Sequence, residues 1–176
     1  MLRYCHGCST TFVDPNLFSL ERELRIEYLN NYNLEDWGKI KFSRLLDSGA
    51  DLRAAISEPV DVLPYSDCDY NNTYVKIPFG IKIQPSHQDM YVEIFNRSGL
   101  SCKYGISIRN GVGVIDYGYR KEMMGFYKNT SKSPYTIEPG ERVAQMVLKQ
   151  RMDIKLVTVD SVEDTGRGGF GSTGKD

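Results

Sequence analysis

Residues 75–94 read VKIPFGIKIQPSHQDMYVEI, in which Val75, Ile77, Phe79, Ile81 and Ile83, then Met90, Val92 and Ile94, alternate with other side chains. Successive strand residues point to opposite faces of a sheet, so a period of two marks half-buried β-strands. Pro78 has no N–H for the ladder, which puts its run at a sheet edge or a bulge. Ile40 and Phe42 carry the pattern upstream, and apolar stretches at 112–115, 143–148 and 154–159 carry it downstream, split by Gly, Pro and Ser. The spacing predicts an all-β, antiparallel domain over residues 39–162, a sandwich or distorted jelly roll. Within it, residues 98–104 read as one or two helical turns.

The flanks differ from this centre. Asp14-Pro15 is an N-cap followed by a proline suited to the first helical position, and Leu17, Leu20, Leu24 and Tyr28 then share one stripe. Residues 1–38 are therefore expected to be a partly helical N-terminal extension, with an amphipathic helix over 15–30. Residues 163–176 are rich in glycine and almost free of aliphatic side chains, as in a flexible tail.

A chain of 176 residues fits one domain, and a net charge of -1 gives no overall field for DNA, RNA or an anionic membrane. Without an apolar leader segment or a run of about 18 apolar residues, the chain reads as soluble and cytoplasmic. No nucleic-acid or membrane partner is expected. The four cysteines do not suggest a disulfide framework in such a chain. Cys5-His6-Gly7-Cys8 offers too few ligands for a closed zinc site, and these residues read as ordinary thiols beside a histidine.

Four segments suggest anion chemistry. In the tail, glycines allow close backbone approach while Arg167, Ser172, Thr173 and Lys175 offer donors to phosphate, and Phe170 offers a ring for stacking. Gly169 to Lys175 spells most of a P-loop, but Asp176 stands where Ser or Thr is needed and no helix follows. Arg97, Ser98 and Gly99 join a predicted strand to a helical turn, where backbone N–H groups gather. Asp116 ends the apolar run Gly113-Val114-Ile115, and Asp51 lies in Asp47-Ser48-Gly49-Ala50-Asp51-Leu52. Each aspartate can be a solvated cap or an anchored base.

Residues 47–52, 97–106, 113–119, 140–145 and 169–174 resemble, in sequence and order, the signature motifs of the homotrimeric dUTPase family. The likeness covers the chain from Lys39 onward and leaves the first 38 residues outside it. It implies a jelly roll of the β-clip kind and hydrolysis of dUTP to dUMP and pyrophosphate by in-line attack of water on the α-phosphorus. Such chemistry keeps uracil out of DNA and supplies dUMP for thymidylate synthesis. It also implies a homotrimer whose subunits share their active sites, and Mg2+ bound to the triphosphate.

Carried over by position, Asp116 activates the water. Tyr119 lies beneath the sugar and excludes a ribose 2'-hydroxyl. Asn110, Gly113, Val114 and Ile115 read the uracil edge. Arg97 and Ser98 match the family's phosphate-contacting pair, Gly99 and the motif-four glutamine Gln145 also bind substrate, and Asp51 lies near the metal, acting through water. From the tail, Phe170 stacks on uracil, while Arg167, Gly171, Ser172 and Thr173 close on the γ-phosphate. Three departures stand out. Ala50 replaces a frequent aromatic, Lys121 replaces a glycine, and Thr165 holds the usual place of the tail arginine, leaving Arg167 nearer to Phe170. The related dCTP deaminases need a glutamate downstream of the hairpin aspartate, where this chain has Phe126, so deamination is not expected. A regulatory role through a partner is the reading from another class, and retention of Asp116 argues against binding alone.

Overall fold

The computed structural model describes residues 22–65 and 74–168. Among them the chain runs β1 (Leu24–Tyr28), α1 (Leu34–Trp37), β2 (Ala50–Arg53), β3 (Val60–Val62), β4 (Val75–Pro78), β5 (Ile81–Pro85) and β6 (Met90–Asn96). It continues through α2 (Ser98–Tyr104), β7 (Ile106–Ile108), β8 (Gly113–Ile115), β9 (Met124–Asn129), β10 (Tyr135–Ile137) and β11 (Arg142–Gln150). The strands form small antiparallel sheets, in the orders β2-β11-β6-β8, β4-β9-β7, β1-β5 and β3-β10, stacked as a jelly roll. No described helix is long and apolar enough to cross a membrane.

The alternation in residues 75–94 gives strands with one wholly buried face: Ile77, Phe79, Ile81, Ile83, Met90, Val92 and Ile94 are all sealed from solvent. Burying each such side chain stabilises the fold by roughly 1.5–3 kcal/mol, so register is strongly specified. Pro78 ends edge strand β4, where its missing N–H costs no ladder bond. Gly80 turns the chain into β5 with φ of 66°, and a Cβ there would sit 2.8 Å from the Ala55 side chain. The buried polar side chain of Asn129 is satisfied on all sides. It donates to Val62 O and Ser133 O at 2.8 Å each and accepts from Ser131 N and Oγ, tying β9 to the loop of β10.

Three sequence expectations are corrected. The helix over 15–30 does not extend through its second half: Leu24–Tyr28 is strand β1, paired with β5 from Leu24↔Pro85 to Tyr28↔Ile81. Leu24, Ile26 and Tyr28 also satisfy a period of two, and the open edge of β5 decides between the periods. Its other half, with Asp14, Leu17 and Leu20, lies outside the described residues, as does the Cys5-to-Cys8 segment. Ile40 and Phe42 form no strand; Phe42 is exposed, and a turn closes behind it with Asp47 Oδ2 accepting from Arg44 N at 2.8 Å. Finally, residues 154–159 form no strand either. From Met152 to Val162 the chain is an exposed arm without helix or strand, with Ile154, Leu156 and Val162 at 72%, 87% and 84% exposure.

The segment before β2 is built into the body. Tyr32 is buried in the core beside Trp37, whose indole lies against Gly140. Gly140 has φ of 77° and no room for a Cβ under the indole. Gly140→Ala therefore combines backbone strain with overpacking, and chemical denaturation should show a loss of at least about 1–3 kcal/mol. An unchanged denaturation midpoint would contradict this packing.

Candidate active site

Strand β2 delivers Asp51 to the centre of a charged cluster. Its Oδ1 accepts from Arg97 Nε at 3.0 Å and from Gln145 Nε2 at 3.3 Å, and its Oδ2 accepts from Arg142 Nη1 at 3.2 Å. Arg97 Nη1 also donates to the Arg142 carbonyl at 3.2 Å. The cluster is partly exposed, with 15% of the Asp51 side chain and 30% of the Arg97 side chain open to solvent. Two arginines around one carboxylate leave a net positive surface, suited to phosphate oxygens. Ser98 and Gly99 open α2 directly beside Arg97, and both are exposed.

Arg142 was not singled out in the sequence, and the reason is geometric. Residues three apart in a regular strand face opposite ways, so Arg142 and Gln145 read as residues of different faces. A β-bulge between Arg142 and Ala144 leaves Val143 and Ala144 both buried and returns Arg142 to the side of Gln145.

The second constellation lies on the hairpin after β7. Asn110, Gly113, Val114, Ile115, Asp116 and Tyr119 all line one cavity of about 280 Å³. The cavity wall also includes Ile94, Ile108 and residues 124–126, which only the topology brings there. Strand β8 is the last of its sheet, so one of its backbone edges has no strand beside it. On β9 the ladder with β7 ends at Ile108↔Tyr127, with one more bond from Arg109 N to Phe126 O, so Met124 and Gly125 extend past the end of β7. Two backbone edges thus border one cavity. They offer N–H and C=O groups in fixed positions, as reading the edge of a planar base requires. Tyr119 is held by its N–H to Asp116 O at 3.0 Å and by its hydroxyl, which donates to Glu122 O at 2.9 Å. Asp116 is exposed at the mouth, and no charged partner for its carboxylate is seen among the described residues.

These two halves do not meet within one chain. Ile115 pairs with Val92, and Arg97 lies five positions further along β6, roughly 16 Å at about 3.3 Å per residue. Asp116 follows Ile115 in the opposite direction. The halves do share a sheet face: Asp51, Gln145 and Phe95 form one row across three strands, and Glu93 with Val147 forms another. A groove of about 920 Å³, lined by Tyr91, Glu93, Val114 and Asp116 among others, continues that face. Arg167 is exposed, and Phe170, Gly171, Ser172 and Thr173 lie outside the described residues.

The profile of the dUTPase family matches residues 46–174. The deoxyuridine 5'-triphosphate nucleotidohydrolase of Chlamydia felis is 43% identical over 133 residues, covering 73% of this chain and 85% of its own. That of Desulfitobacterium hafniense is 38% identical over 129 residues, covering 72% and 81%. Among solved structures, a substituted dUTPase of Staphylococcus bacteriophage 80alpha with dUpNHpp superposes with a TM-score of 0.69 at 23% identity, over 86% of this chain and 98% of that one. A substituted dUTPase of phage phi11, described with a structural Mg(II) ion, gives 0.65 at 20% identity, over 81% and 99%.

Proposed function

The chain belongs to the dUTPase family and is an enzyme, a dUTP diphosphatase, and from that premise we propose how its residues divide the work. One observation carries the reading: a single cavity gathers the six hairpin residues expected to hold deoxyuridine, with an exposed carboxylate at its mouth. Uracil lies between the free edges of β8 and β9, where fixed N–H and C=O groups fit its pattern and leave cytosine unpaired. Tyr119 forms the floor under the deoxyribose. Asp116 takes a proton from the attacking water as the oxygen closes on the α-phosphorus, and pyrophosphate leaves on the far side. Arg97, Ser98, Gly99 and Gln145 hold the phosphates, with Arg142 added by the bulge. The tail, with Arg167, Phe170, Gly171, Ser172 and Thr173, closes over the substrate, and the dUMP formed serves thymidylate synthesis.

Mg2+ fits this site only in one form. No group of three or more His, Cys, Asp or Glu among the described residues is placed to hold a metal, and the Asp51 oxygens already accept from Arg97, Arg142 and Gln145. An ion that arrives on triphosphate oxygens and keeps its waters needs little more than an acceptor such as Asp51. When bound, it neutralises charge on the triphosphate and favours one phosphate geometry. Pyrophosphate release from dUTP, dCTP, dTTP and UTP, with and without Mg2+, tests the whole assignment. Activity confined to dUTP and strengthened by Mg2+ is expected, and ammonia release from dCTP would overturn it.

The separation of the halves supports a homotrimer in which the hairpin of one subunit faces the Asp51 cluster of its neighbour. The exposed arm supports the same assembly, since apolar side chains in solvent are poorly placed in a monomer. Inactive Asp116→Asn and Arg97→Ala subunits, mixed and reassembled, should therefore regain activity, because some shared sites receive both intact halves. Failure to complement, with mixed oligomers demonstrated by mass spectrometry, would mean that each chain builds its site alone. For the sugar, Tyr119→Ala should raise UTP turnover relative to dUTP, because exclusion by shape is lost. A flat ratio would remove Tyr119 from the floor.

A further inference from the structure

Residues 31–37 precede the span matched by the family profile, yet they touch the supports of both halves. On the hairpin side, Asn31 Nδ2 donates to Glu122 Oε1 at 2.9 Å and to Ala55 O at 3.1 Å. The same Glu122 oxygen accepts from Gly80 N at 3.2 Å, and the Glu122 carbonyl receives the Tyr119 hydroxyl. On the phosphate side, Trp37 covers Gly140. Gly140 O accepts from Arg53 Nη1 at 2.7 Å and Gly140 N donates to Ala54 O at 2.8 Å, so the indole presses on the corner joining β2 to β11. Two residues on, Arg142 uses its side chain on Asp51 and its carbonyl on Arg97. Both chains of contact start from this short segment and come together again at the adjacent Ala54 and Ala55, and the segment is stiffened by the Asn33 cap on Asp36 N and by Tyr32 packed edge-on against Trp37.

We propose that residues 31–37 are a positioning strap, in which Trp37 sets the phosphate-holding corner and Asn31 sets the hairpin floor, each acting on its own half of the substrate. The inference rests on the division of the site given above. Neither residue touches substrate. A general packing role would loosen both halves together, whereas this arrangement separates them.

The test measures, on the full chain, the affinities of dUMP and of a non-hydrolysable dUTP analogue by calorimetry. Trp37→Leu removes the flat ring and should weaken the analogue about tenfold while shifting dUMP by less than about threefold. Trp37→Phe keeps a ring on Gly140 and should recover most of that loss. Asn31→Ala should weaken both ligands equally, by about threefold, and raise the UTP to dUTP turnover ratio. Trp37 is the single tryptophan of the chain, so unsubstituted protein supplies an independent reading. Its emission should change more with the analogue than with dUMP. Equal losses of both ligands in Trp37→Leu, no loss in either, or identical emission changes would overturn the strap. Failure of the underlying site reading shows elsewhere, as full turnover in Asp116→Asn.

Discussion

Replacing Asp116 with Asn should lower dUTP turnover by at least about 100-fold and leave affinity for a non-hydrolysable analogue within about threefold. The substitution keeps the size of the side chain and removes its ability to take a proton. It also spares what shapes the cavity, because the hairpin is held by backbone bonds such as Tyr119 N to Asp116 O. Among the described residues Asp116 is the only carboxylate lining the 280 Å³ cavity. Single-turnover measurements separate the chemical step from binding. Near-normal turnover would remove Asp116 from the base role and leave the cavity as a binding feature alone.

Truncation after Thr165 should lower kcat/KM for dUTP by at least about 100-fold, given about 1.5–3 kcal/mol per lost charge-assisted bond and roughly 1–3 for stacking. It removes Arg167, Phe170, Ser172 and Thr173 together and spares every strand and core residue among the described residues. Oligomeric state and melting temperature should hold, and dUMP, with no γ-phosphate, should lose less affinity. Arg167→Ala alone then decides whether the displaced arginine reaches the γ-phosphate: a drop of about tenfold says that it does. Unchanged kinetics in the full truncation would overturn the closing tail.

The parts of this molecule that could be read from sequence are those in which neighbours in the chain carry the signal. Strands β5 and β6 were legible because Ile81, Ile83, Met90, Val92 and Ile94 alternate, and the one or two turns expected over residues 98–104 are α2, closed by Gly105 with φ of 72°. The six hairpin residues, which only the family resemblance singled out together in the sequence, lie within ten positions of one another and line one cavity. Contributions from distant chain were hidden. Ile94, Met124 and Phe126 reach the cavity only through pairing, and Arg142 reaches Asp51 only through a bulge that breaks the period on which strand reading depends. At Leu24–Tyr28 two periods fit the same residues, and the unpaired edge of β5, which a local window does not contain, chooses between them.

In a homotrimer the exposed arm would tie folding to amount. If neighbouring subunits cover Met152, Ile154, Leu156 and Val162, the free energy of removing them from water is gained only on assembly, and a lone chain lacks it. Thermal midpoint then becomes a function of protein concentration, rising as mass action favours the assembled form and falling on dilution. A cell holding few copies would keep less of its protein folded than one holding many, with no change in sequence or temperature.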